Sequence, residues 1–103
     1  MAKKKNTLGR SLLATLQELN GLIDATDDED ELEELMEQRT ELLSHLGKLV
    51  DESLDRTTQE YKDATARLDE ASVSLKKAIK GLGSVAGAIA AVTSAIEAVT
   101  QLV

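Results

Sequence analysis

Apolar residues recur along this chain at helical spacing almost from end to end. Leu54, Thr57, Tyr61, Ala64, Leu68, Ala71, Leu75, Ala78, Leu82, Val85, Ile89, Val92, Ile96, Val99 and Val103 follow steps of three and four in alternation. A sustained period near 3.5 residues marks helices that bury a narrow seam against other helices. Upstream, Leu8, Leu12, Leu16, Leu19 and Ile23 form one stripe, widened by Leu13 and Leu22, which predicts a first helix over about 6–25. A further track, Leu32, Met36, Arg39, Leu43, Leu46 and Val50, with Leu35, Leu42 and Leu49 beside it, predicts a second.

Start and stop signals divide the pattern. Thr26 is placed to cap the second helix, with Glu29 three residues on as a capping box requires. No Gly or Pro stops the second helix near Val50, and Leu43, Leu46, Val50 and Leu54 make one 11-residue unit, which relaxes supercoiling without ending a helix. The expectation is one long helix over 27–80, with a candidate break at 51–55 where Asp51 or Ser53 could cap. Lys76, Lys77 and Lys80 then precede Gly81, and Leu82 follows it. Cations in a last turn and Gly just beyond it make a good helix stop. Gly83 and Ser84 offer a restart, so Gly81 and Gly83 form a candidate hinge before a final helix over 84–103. The unbroken phase of the ladder favours a rod there, but two glycines within three residues favour a hairpin.

The two halves of the ladder differ. Leu54 to Ala78 is a thin Leu/Ala/Thr seam. Val85, Ile89, Val92, Ile96, Val99 and Val103 are all β-branched, a choice that shifts parallel coiled coils towards three or four strands. Gly83, Gly87, Ala91 and Ala95, four apart, form a stripe that would let two backbones approach closely. Leu68, Leu75, Leu82, Val85, Ile89, Val92, Ile96 and Val99 are therefore the expected interaction seam. The predicted fold is all-α: a single helical domain over 1–103, elongated, with helical hairpins or a coiled coil around a long central helix, completed as a bundle by oligomerisation.

Composition sharpens this. The 103 residues include no Pro, Cys, Trp or Phe, and Tyr61 is the one aromatic, so core volume must come from Leu, Val, Ile and Ala. The formal net charge is −7, and nine of the fifteen residues from Asp27 to Glu41 are acidic. Much of that run suits the positive end of a helix. A net acidic chain without a basic stripe argues against nucleic acid as a partner. Lys3, Lys4 and Lys5 read as a solvated basic tail, since Arg10, Gln17 and Glu18 interrupt any apolar signal region; a cytoplasmic location is expected.

Chemistry-bearing groups are sparse. His45 stands alone at a seam edge without a second imidazole or a base partner, and no EF-hand spacing occurs in the acidic run. No enzyme activity, cofactor, metal or small-molecule substrate is expected. Arg39 falls on an apolar track, where it either snorkels to water or selects a partner by charge. The functional expectation is a structural or protein–protein interaction module that self-associates, or binds a helical partner, through the C-terminal ladder. Two alternatives remain: a membrane-active helical protein, pore-forming or tail-anchored, using the apolar C-terminal helix, and a small acidic inhibitor of a basic, nucleic-acid-binding partner.

Overall fold

A computed structural model describes residues 7–51 and 58–102. They form four helices: α1 (Thr7–Ala25), α2 (Glu29–Asp51), α3 (Gln59–Ile79) and α4 (Val85–Thr100). The substantial helix interfaces are α1–α2, α1–α3, α3–α4 and α2–α4. Pairing of Leu8 with Tyr61, Thr15 with Leu68 and Glu18 with Lys76 makes α1 and α3 parallel. Gln38 meets Ile89 and His45 meets Thr100, so α2 and α4 are parallel too. Two antiparallel hairpins thus lie side by side, with α2 and α3 on a diagonal.

This architecture corrects the expected elongation. The extents are 41 × 23 × 20 Å and the radius of gyration is 13.5 Å. A compact 100-residue domain has a radius near ~13 Å. The long axis is one helix long, because the hydrophobic ladder folds back on itself. Nor does a single helix run over 27–80. Thr58 has extended backbone (φ −72°, ψ 152°) and its hydroxyl accepts the Tyr61 N–H, so α3 starts afresh at its own cap. The candidate break at 51–55, with Ser53, Leu54 and Thr57, lies beyond Asp51 and outside the described residues, as do Lys3–Lys5 and Val103.

The α1–α2 turn is capped by a different residue from the one expected. Asp28, not Thr26, opens α2: its carboxylate accepts the Glu31 N–H at 3.0 Å, and its carbonyl accepts the Leu32 N–H. Thr26 turns inward and donates its hydroxyl to the Leu22 carbonyl, finishing α1. A carboxylate meets an orphan amide at the positive helix end more strongly than a hydroxyl does.

At the other hairpin, Leu82 N–H bonds to the Lys77 carbonyl at 2.8 Å and Gly81 N–H to the Ala78 carbonyl at 3.1 Å. That pair of bonds is the Schellman closure, and it places Gly81 at φ 79°. Ser84 then caps α4 by accepting the Gly87 N–H. At Gly83 the turn crosses the end of α3, where an added Cβ would stand 3.3 Å from Lys77 Cβ.

The core is thin. Leu8, Leu12, Leu16, Leu19 and Leu22 of α1, Leu35 and Leu42 of α2, Leu68 and Leu75 of α3 and Val92 and Val99 of α4 supply most of its volume. Ala64, Ala71, Ala88, Ala95 and Ala98 are buried between them, which lets the helices lie close. Tyr61 is also buried, and its hydroxyl accepts the Leu8 N–H at 2.8 Å, satisfying an orphan amide in the first turn of α1. Among the described residues, no helix is long and apolar enough to cross a membrane.

Two predictions separate rungs that look equivalent in the ladder. Leu68→Ala should destabilise the fold by about 2–5 kcal/mol in urea unfolding, because it opens a cavity in a closed core. Leu82→Ala, at a side chain 75% exposed, should change it by less than ~0.5 kcal/mol. Gly81→Ala should cost about 1–2 kcal/mol, since φ 79° strains any β-carbon. Gly47→Ala, in α2 with open space around its Cβ, should instead add about 0.5–1 kcal/mol.

Candidate interaction surface

The structure distributes the expected seam between core and surface. Leu68, Leu75, Val92 and Val99 are fully buried, Ile89 and Ile96 are buried, and Val85 is half-buried against the core. Leu82 alone points outward, from the α3–α4 turn. The two halves of the ladder are each other's partner, packed antiparallel across the α3–α4 interface. The small-residue stripe is likewise dispersed. Gly83 lies in the turn, and the space above Gly87 is taken by its own cap, with Ser84 Oγ 3.0 Å from where a Cβ would be. Ala91 is half-buried and Ala95 fully buried.

On α2 the buried line is displaced from the expected track. Leu35 and Leu42 face the core, while Met36 is 43% and Leu43 51% exposed. One residue along a helix is a turn of about 100°, so the neighbouring track lies well to one side. The seam of α2 runs Leu35, Gln38, Leu42, His45, again in steps of three and four. Its polar members form a line with α4. Gln38 Nε2 donates to the Ile89 carbonyl at 3.1 Å and to Thr93 Oγ1 at 2.9 Å. His45 Nε2 lies 3.3 Å from Thr100 Oγ1. Gln38 and His45 are seven apart, as are Thr93 and Thr100, so the line repeats each heptad. Gln38 Oε1 and His45 Nδ1 are buried with no hydrogen-bond partner among the described residues. Each such group costs about 1–3 kcal/mol when left without a partner, and both lie on α2.

Arg39, the expected specificity charge, is half-buried and donates from Nη1 to Asn20 Oδ1 at 2.9 Å, bridging α2 to α1. That bond locates the exposed apolar side chains. Leu13 lies seven residues from Asn20, on the same stripe of α1. Leu32, Met36 and Leu43 lie seven, three and four residues from Arg39, on the same stripe of α2. Leu13, Met36 and Leu43 therefore lie on the two helix stripes that the Arg39–Asn20 bond joins. Leu13, expected to widen the α1 core stripe, belongs instead to this surface at 49% exposure.

Acidic groups border that face. A shallow depression of about 390 Å³ runs along α2, lined by Glu29, Leu32, Glu33, Met36, Glu37 and Thr40. On the opposite flank of α2, Glu34, Glu37 and Glu41 face Glu97 of α4 across a second groove of about 290 Å³. Arg39 is the cation on the apolar face, and the ion pairs among the described residues lie elsewhere: Arg67 spans Asp63 at 3.1 Å and Ser94 at 2.8 Å, and Lys76 approaches Glu18. Among the described residues no three acidic or imidazole groups converge to hold a metal ion. Sequence reasoning missed Gln38 and the exposure of Met36 and Leu43. The heptad spacing of Leu35, Gln38, Leu42 and His45 was the available signal.

Comparison with protein-family models, curated proteins and solved structures finds no match to this chain.

Proposed function

We propose that this chain is a protein–protein interaction module that receives a basic, amphipathic helix of another protein on the α1–α2 face. The observation that carries the reading is exposed Met36 lying with Glu29, Glu33 and Glu37 along α2, on a bundle that also exposes Leu13 and Leu43 and buries most of its ladder. Apolar side chains at helical spacing offer anchors to a second helix laid in a groove. Glu29, Glu33 and Glu37 beside them favour lysine and arginine on that helix. The same charges oppose a second copy of this chain. A two-fold dimer through this face would set each acidic border against its own copy, in molecules that each carry −7. The C-terminal ladder contributes by holding the bundle together.

Light scattering of the full chain at micromolar concentration should therefore return a monomer mass; a stable dimer or trimer would favour self-association instead. Calorimetry should show binding of a synthetic helix carrying leucines at heptad spacing flanked by lysines, and none of its glutamate counterpart. Affinity should fall steeply from about 50 to about 500 mM salt as the Debye length shrinks. Met36→Asp or Leu43→Asp should weaken binding by ~10-fold or more, as for a central anchor. Val73→Asp, an equal change at an exposed site on α3, should leave it unaltered. Equal losses in all three variants, or no binding of the basic helix, rule the reading out.

A further inference from the structure

Two parallel helix pairs build the bundle, and their polar seams differ. Between α1 and α3, the Leu8 N–H donates to Tyr61 Oη at 2.8 Å, Ser11 Oγ to Asp69 Oδ1 at 2.9 Å and Thr15 Oγ1 to the Leu68 carbonyl at 3.0 Å. Among the described residues, the buried side-chain atoms without a hydrogen-bond partner are Gln38 Oε1 and His45 Nδ1, both on the α2–α4 seam.

The α2–α4 bonds are also one-sided. Thr93 Oγ1 donates to the Ile89 carbonyl at 2.9 Å and Thr100 Oγ1 to the Ile96 carbonyl at 2.8 Å, each four residues back on α4. With its hydrogen so placed, the Thr100 hydroxyl meets His45 Nε2 as an acceptor, and the imidazole is the donor. His45 Nδ1 is then a bare acceptor, as Gln38 Oε1 is. Gln38 Nε2 donates to the Ile89 carbonyl and to Thr93 Oγ1. Every bond along this line leaves α2 for an oxygen of α4, and the Thr93 and Thr100 hydroxyls find their own acceptors within α4. Lifting α2 away thus orphans neither hydroxyl donor, and it gives water to the two unmet acceptors of α2.

Apolar burial follows the same division. Leu35 and Leu42 are the buried apolar side chains of α2 among the described residues, where each other helix buries five or more. α3 packs on both α1 and α4, so those three stay joined without α2. Local opening starts where few apolar contacts are buried. We infer that α2 is a releasable helix: it opens as a unit from an α1–α3–α4 core, and the Gln38–His45 line is the device that keeps its hold weak. Release exposes Leu35 and Leu42 together with the side of α4 that carries Thr93 and Thr100. The inference rests on the two seams and is independent of the docking face proposed above.

Amide hydrogen exchange of the full chain, followed residue by residue at low urea, tests it. Amides from Leu35 to Leu46 should exchange together, at least ~10-fold faster than those from Ala64 to Leu75, as expected of a separate opening unit. Their exchange should also depend less on urea, because the opening exposes less surface than global unfolding. Gln38→Met combined with His45→Leu should raise the protection of α2 by ~5-fold or more, since replacing unmet polar groups with apolar ones removes their penalty. Thr15→Val, which removes a hydroxyl from the α1–α3 seam, should give no such rise in α1. The proposal is overturned if α2 amides exchange no faster than those of α3. It is equally overturned if the double variant lowers α2 protection or fails to fold by circular dichroism, because the polar line would then be what holds α2 in place.

Discussion

The bundle depends on how closely its helices lie along α3. This helix packs on α1 and on α4 through one stripe, Tyr61, Ala64, Leu68, Ala71 and Leu75, every member of which is buried. Alternating large and small side chains bring the backbones near enough for Thr15 Oγ1 to reach the Leu68 carbonyl at 3.0 Å. With Tyr61 the sole aromatic, there is no bulky side chain to bridge a wider gap. Close approach is the only way so thin a set of residues can exclude water and keep dispersion contacts. Tyr61 extends the same logic, since its ring fills the end of the seam and its hydroxyl serves the first turn of α1.

α2 completes the bundle on different terms. It meets α4 through Gln38 and His45, and it carries more acidic residues than any other of the four helices. The polar line costs stability, because two buried polar atoms have no hydrogen-bond partner among the described residues. It also leaves α2 with exposed apolar side chains on one flank and carboxylates on both. A helix that gives half of its seam to polar residues and presents both kinds of surface is the ground for the proposed function.

Much of the fold is legible in the residues. The all-helical class follows from spacing and composition. The Lys80–Gly81 stop and the Ser84 restart are local chemistry: a left-handed residue without a β-carbon, then a hydroxyl over a free amide. The α2 seam was hidden because Gln38 and His45 occupy rungs that an apolar count skips, while Met36 and Leu43 fill a competing track one step round the helix. Helix periodicity reports that a face is apolar; it does not say which of two adjacent apolar tracks meets a neighbour. The α2 cap was misplaced for a related reason, since Thr26, Asp27 and Asp28 all carry oxygens suited to the role and only the packing of Thr26 against Leu22 settles which one turns outward.

Spacing and composition alone make this chain helical, and local chemistry marks Gly81–Gly83 as the joint where its ladder either turns back or runs on. These are properties of a few neighbouring residues, set by backbone sterics, capping and the 3.6-residue turn. The choice between rod and hairpin needs the packed fold, in which α3 and α4 bury their halves of the ladder against each other. A heptad seam has the same residues whether its partner is another molecule or its own other half. Once Gly81 folds the ladder back, α4 lies on α3, and α1 and α2 cover the flanks that would otherwise have needed a second copy. The exposed apolar side chains then include Met36 and Leu43 of α2, while most of the ladder is covered.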